Sequence, residues 1–174
     1  MEKSMPKLQI LITTMHDKDL SRYHRMNLQS DAVFANQADE YRYLAEEING
    51  HHVQQVTTAT RGSSRNRNIA LGYSDKEADF IMFSDDDLRF FDGYESLIFE
   101  EFEKHPDADA IRFNLADVSE EEDGRVKIKQ IKHFYKANRW NSGSFAIYAM
   151  VMRRESFVKA NVRFNEDFGP GTEN

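Results

Sequence analysis

The 174-residue chain contains no cysteine, which removes disulfides, thiolate zinc sites and cysteine nucleophiles together. That absence fits a reducing compartment. There are only three prolines and eight glycines, so neither a collagen-like nor a low-complexity chain is encoded. No apolar run approaches the roughly 20 residues that span a bilayer, and Met1 to Lys7 lacks the apolar core of a signal peptide. The expectation is a cytoplasmic protein. Positive charge is also short: 23 Lys and Arg face 30 Asp and Glu, a net charge of −7. Such a surface repels nucleic acid, and a phosphorylated ligand would need local arginines or a bound cation.

What is present suits one globular domain over residues 1–174. Hydrophobic residues make up 40% and charged residues 30%, and 13 Phe with seven Tyr supply aromatic area for a core. Leu8 to Thr13 reads as a buried first strand and Asp31 to Ala35 as a second. Tyr41, Leu44, Ala45 and Ile48 fall at i, i+3, i+4 and i+7, which predicts a helix stopped by Asn49-Gly50. Val53 to Ala59 is a third strand. Ser63 or Ser64 caps a helix that carries Ile69, Ala70 and Tyr73 inward.

Asp79 to Ser84 (DFIMFS) is apolar on both faces, as a central strand of a covered sheet should be. Asp92 caps a helix whose inner face is Tyr94, Leu97, Ile98 and Phe102, with Pro106 beyond its end. Further strands are read at Ala110 to Leu115, Val126 to Phe134 and Phe145 to Met152, with a turn over Ser119 to Asp123 and a short helix at Arg154 to Ala160. Alternating strands and helices imply βαβ units: a Rossmann-like α/β fold with a mainly parallel sheet flanked by helices, and antiparallel additions in the C-terminal half.

Asp85-Asp86-Asp87 follows the most apolar strand. Ligands of open α/β sheets bind beyond the carboxyl ends of the strands, which is where this triplet lies. Alternation points Asp85 and Asp87 one way and Asp86 the other. Two carboxylates about 5 Å apart repel by roughly 3 kcal/mol at an effective dielectric near 20. A hard cation, Mg²⁺ or Mn²⁺, relieves that repulsion and bridges to substrate phosphates. The bland reading is a polar turn, with Arg89 neutralising part of the charge.

Arg61-Gly62-Ser63-Ser64-Arg65-Asn66-Arg67-Asn68 gathers three cations and no acid at a predicted helix start, where the macrodipole disfavours positive charge. An anion held by backbone N–H groups and guanidinium forks would justify them. Pairing with surface acids is the plainer account. Beside a metal site one βα unit later, the loop suggests a diphosphate held between arginine and metal. Thr13-Thr14 and Asn36-Gln37 end the first two strands on the same edge. The six histidines show no metal-ligand spacing. Trp140, within Asn138 to Ser144, is a candidate wall of an acceptor pocket or a packing residue.

In ILITTMHD, VFANQ, RGSSRNRNIA, ADFIMFSDDDLRFFDGYE, ADAIRFN and FNEDFGPGTEN the sequence resembles the family 2-like glycosyltransferases of GT-A fold, notably bacterial enzymes that build surface polysaccharides. The resemblance implies a hexosyltransferase, inverting and dependent on Mn²⁺ or Mg²⁺, that uses a nucleotide-diphosphate sugar, a UDP-sugar foremost. Its acceptor would be a glycan or a lipid-linked sugar, met at the inner face of the membrane by peripheral association. Thr13 and Asn36 would lie near the nucleoside, with Arg65, Arg67, Asn68, Asp85 and Asp86 contacting the donor. Asp85 and Asp87 would hold the metal as a DXD motif. In that family a Gly-rich turn like Phe168 to Gly171 leads to the acidic pair that supplies the catalytic base. Here Asn174 comes first, and Asp167 and Glu173 are not placed as that base would be. The resemblance therefore implies a chain truncated before its base. The other reading is a catalytically incomplete sugar-nucleotide-binding module or subunit.

Overall fold

The computed structural model describes residues 5–117, 127–128, 136–137, 147–167 and 171. Its elements run β1 (Leu8–Met15), α1 (Ser21–Arg25), β2 (Asp31–Gln37), β3 (Arg42–Ile48), β4 (His51–Thr58), α2 (Ser63–Gly72), β5 (Phe80–Asp85), α3 (Tyr94–Lys104) and β6 (Ala110–Arg112). The short strands β7 (Ala116–Asp117) and β8 (Lys127–Ile128) pair with each other, and a 3₁₀ turn over Ile147–Ala149 leads into β9 (Met150–Arg153) and α4 (Arg154–Lys159).

The main sheet has seven strands in the order β3-β4-β2-β1-β5-β9-β6. β4, β2, β1 and β5 are parallel neighbours; β9 is antiparallel to both β5 and β6. Five strands therefore point one way, and their carboxyl ends form a single edge. Alternation divides the core. Ile10, Ile12, Phe34, Phe80 and Met82 pack beneath α1 and α3 with Tyr23, Tyr94, Ile98 and Phe102. Leu11, Val33, Ile81 and Phe83 face α2 and the α4 side, with Ala70, Ile69 and Phe157. β5 is thus apolar on both faces because both faces are covered.

The predicted helix around Tyr41 to Ile48 is instead the edge strand β3, antiparallel to β4 with Ile48 opposite His51. Between them Asn49 (φ 53°) and Gly50 (φ 83°) are both left-handed, the backbone of a tight type I′ hairpin turn. The same dipeptide that ends a helix also closes a hairpin, and the long-range partner β4 decides which. Antiparallel structure thus occurs in the N-terminal half as well as at β9.

Smaller corrections concern helix ends. Gly62 (φ 107°), not Ser63 or Ser64, precedes α2, and Gly93, not Asp92, precedes α3. Asp92 accepts hydrogen bonds from Asn27 (2.8 Å) and Gln29 (2.7 Å), tying the start of α3 to the loop before β2. Tyr73 and Leu97 are exposed rather than inward. β6 stops at Arg112, and Ile147 to Ala149 is a 3₁₀ turn before its strand. Of the strand expected over Val126 to Phe134, only β8 is described; the turn at Ser119 to Asp123 and Trp140 with its neighbours lie outside the described residues. Among the described residues no helix is long and apolar enough to cross a membrane.

An L-residue side chain at Gly50 meets open space but must adopt a left-handed φ. Gly50→Ala is expected to destabilise the domain by about 1 kcal/mol, read as a lower urea midpoint at unchanged slope. At the first turn of α3, burial and then the negative charge of Asp31 push Glu95 up to about 7 from a usual 4.5. The folded state then binds a proton that the unfolded chain has released, so stability falls as pH rises from about 4.5 to 7. Glu95→Gln should raise the unfolding free energy by about 1–2 kcal/mol near pH 8, allowing for partial exposure, and leave it unchanged near pH 4. Thermal melts at the two pH values check this.

Candidate active site

The triplet emerges from β5 at the shared carboxyl edge. Its first two members lean to opposite faces of the sheet, as alternation requires. Asp85 is in register with Thr13 of β1, whose hydroxyl donates to Asp85 Oδ1 at 3.4 Å. On the same side Arg67, one turn into α2, donates from Nη2 to that oxygen at 3.0 Å. Asp86 turns the other way: Thr14 donates to its Oδ2 at 2.7 Å, and Arg22 Nη1 reaches the same oxygen at 3.3 Å and its backbone carbonyl at 3.2 Å. Asp87 is exposed and has no side-chain partner among the described residues.

The three arginines of the α2 loop are dispersed onto three acids of the chain itself. Arg61 pairs with Asp39, Arg65 with Glu166 (3.0 Å) and Arg67 with Asp85. Asn68 exchanges two hydrogen bonds with Phe164, Nδ2 to its carbonyl (2.9 Å) and Oδ1 from its N–H (3.0 Å), and donates to Glu166 at 3.0 Å. Phe164 in turn packs edge-on against Phe83 at 4.9 Å and lies beneath the Arg67 guanidinium at 5.8 Å. Arg65 and Asn68 therefore fasten residues 164–166 over α2, while Arg67 reaches the triplet. A Cβ added at Gly171 would lie 3.6 Å from the Gly62 nitrogen, so the backbone at Gly171 comes back to this loop; Phe168 to Pro170 and Glu173 lie outside the described residues.

Asn36 has no exposed surface. Its Oδ1 accepts from the Asp17 N–H (3.0 Å), and its Nδ2 donates to the Asp17 carbonyl (2.9 Å) and to Thr57 (3.0 Å). Its amide is thus taken up by Asp17 and Thr57. Asn66, equally buried, donates to the carbonyls of Ala35 (2.7 Å) and Thr14 (3.4 Å). Two carbonyls fix the orientation of that amide, and its Oδ1 is left without a partner.

The sequence points to Thr14, with Thr13, as a polar strand end on this edge, but it does not single out Asp17 or Arg22. Thr14 donates to Asp17 Oδ2 at 2.7 Å, Arg22 grips Asp17 through Nε and through Nη2 at 2.8 Å, and Arg25 stands 3.6 Å away. Only the repeated charges in His16 to Arg25 hinted at this. Burial opposes ionisation of Asp17, but hydrogen bonds from Arg22 and Thr14 and the two arginine charges outweigh it, so its carboxyl lies below the ordinary value.

Among the described residues no group of three or more His, Asp or Glu closes into a metal cage. The donors are oxygens only, with Asp87 open and Asp85 two residues before it in sequence. That donor set fits Mg²⁺ or Mn²⁺, which bind through one or two carboxylates and complete their shell with water and phosphate oxygens.

An α/β sheet whose functional edge is a row of parallel strand ends, furnished with interlocked carboxylates and arginines, defines the class of this protein as a ligand-binding α/β domain. The chain belongs to glycosyl transferase family 2, whose sequence profile matches residues 33–160. Members of that family commonly use a divalent metal. The fold is similar to the crystal structure of residues 1–349 of S. aureus TarS, with a TM-score of 0.65 and 13% identity over 94% of this chain and 51% of that one. The chain thus spans about half the length of that structure. No curated protein matches it.

The lowered Asp17 value makes the ionised network a source of stability that is present above the unfolded carboxyl value near about 4 and lost as pH falls through the depressed folded value. Asp17→Asn should cost about 2 kcal/mol at neutral pH. The difference from the native chain should shrink below about pH 4, as chemical denaturation across pH will show.

Proposed function

We propose that this chain is the donor-binding part of a metal-dependent, inverting glycosyltransferase that moves a hexose from a nucleotide-diphosphate sugar, a UDP-sugar foremost, to a glycan or lipid-linked acceptor. The observation that carries the reading is the ion pair of Arg67 with Asp85 at 3.0 Å. An anion-binding and a cation-binding side chain occupy each other at the ligand edge of the sheet. Arg67 would offer its guanidinium fork to the phosphate oxygens of a metal-bound diphosphate and Asp85 its carboxylate to the cation, so that neither charge would be left unpaired.

In this reading Asp87 and Asp85 form the DXD element that holds Mn²⁺ or Mg²⁺. When bound, the ion supplies Lewis-acid stabilisation to the departing diphosphate. The chain's own residues do the rest of the positioning. Thr13 orients the Asp85 carboxylate, Asp86 faces the donor, and Asn36 shapes the nucleoside edge through Asp17. Arg65 and Asn68 contact the donor by exchanging Glu166 for phosphate. Work on a lipid-linked acceptor places the protein in the cytoplasm at the inner face of a membrane, in surface-polysaccharide biosynthesis.

One observation favours a second reading, a donor-binding module that does not turn over. Asn68 and Arg65 hold the Glu166 carboxyl below the usual glutamate value, which makes it a poor proton acceptor for an acceptor hydroxyl.

Calorimetry tests the donor site. UDP is expected to bind in the low-micromolar to millimolar range with Mn²⁺ or Mg²⁺ present, and Asp87→Ala to weaken that binding at least about tenfold. Equal affinity in a chelator, or an unchanged Asp87→Ala, would overturn the metal site.

A further inference from the structure

Asp17 is more firmly built in than a polar loop residue requires. The chain reverses at His16, whose φ of 57° is uncommon for a residue other than glycine, and its N–H still bonds the Gln37 carbonyl at 2.9 Å. That reversal lays Asp17 across the ends of the neighbouring strands. Its carbonyl accepts from Asn36 of β2 (2.9 Å), Arg42 of β3 (3.2 Å) and Gln55 of β4 (3.2 Å), and its N–H is taken by Asn36. The side chain, 9% exposed, is a nearly buried negative charge.

Such a charge must be matched, and Arg22 matches it with two of its nitrogens. The remaining edge of the guanidinium, Nη1, points at the backbone carbonyl and carboxylate of Asp86. The Thr14 hydroxyl is 2.7 Å from both Asp17 Oδ2 and Asp86 Oδ2. It carries one proton and so donates to one carboxylate at a time. The Arg22 charge beside both oxygens keeps this close approach of two acids tolerable.

We infer that Asp17 and Arg22 are a positioning pair for the acidic triplet: anchored on the strand ends, they hold Asp86 on the α1 side through Nη1 and Thr14. Asp87 is thereby left as the open carboxylate of the three. The inference rests on the donor-site reading for its purpose, and on ligand-free geometry for its existence. Lysine cannot take this role, because one ammonium cannot grip Asp17 bidentately and still present a flat edge to Asp86.

The test uses Arg22→Gln, Arg22→Lys and Thr14→Ser in the full chain, with two readouts. The first is backbone ¹⁵N relaxation and amide exchange of residues 86–89 without ligand. Both arginine variants should loosen this loop while the amides of β1 and β5 stay protected, and Thr14→Ser should not. The second is UDP affinity with Mn²⁺, expected to weaken about ten- to a hundredfold in Arg22→Gln, to stay weak in Arg22→Lys and to persist in Thr14→Ser. An unmoved loop in Arg22→Gln, or full rescue by lysine, would overturn the positioning pair. Loosening of the loop in a protein that binds no UDP would leave the pair standing and sink the donor-site reading instead. Should Arg22→Gln fail to fold, Arg22→Lys alone decides by the same two readouts.

Discussion

Negative charge crowded onto the ends of parallel strands is the constraint on which the rest of this structure depends. Asp17, Asp85, Asp86 and Asp87 share one edge, and three of them are matched by arginines from elements on either face of the sheet. Arg22 comes from α1 beneath, and Arg67 from α2 above. Helices therefore do two things at once. Their apolar sides bury Phe34, Met82 and Phe83, and their first turns deliver guanidinium groups to the strand ends. Asp17, whose side chain is only 9% exposed, is the carboxylate that would cost most if left unmatched.

The buried amides extend the same logic inward. Asn36, Gln55 and Asn66 lie where backbone carbonyls leave the sheet ladder, and their side-chain N–H groups satisfy the Asp17 and Ala35 carbonyls.

Much of this was legible in the residues. The apolar run before Asp85 reads as a central strand, because both of its faces had to be covered, and so the triplet was expected at the carboxyl edge of the sheet. Arg67 and the first strand's Thr13 fall beside Asp85 there, whereas Asn68 turns to Phe164 and Glu166. β3 was not legible. Tyr41, Leu44, Ala45 and Ile48 satisfy a 3.6-residue period, while the strand face shared by Arg42, Leu44, Glu46 and Ile48 is apolar at only two of its four positions. A strand at the sheet edge carries too little buried area to bias that choice locally.

Asp17 and Arg22 were hidden for a different reason. A charged residue in a polar segment looks like solvated surface until the chain reverses at His16 and sets it across the strand ends. By itself the sequence determined the α/β class, the strand carrying the triplet and the chemistry of its oxygens, because periodicity, hydrophobicity and residue type are local properties. Only the tertiary structure decided which acid meets which arginine, and which carboxylate stays open. Those pairings join residues as many as 101 positions apart, and no local pattern encodes a distance across the fold.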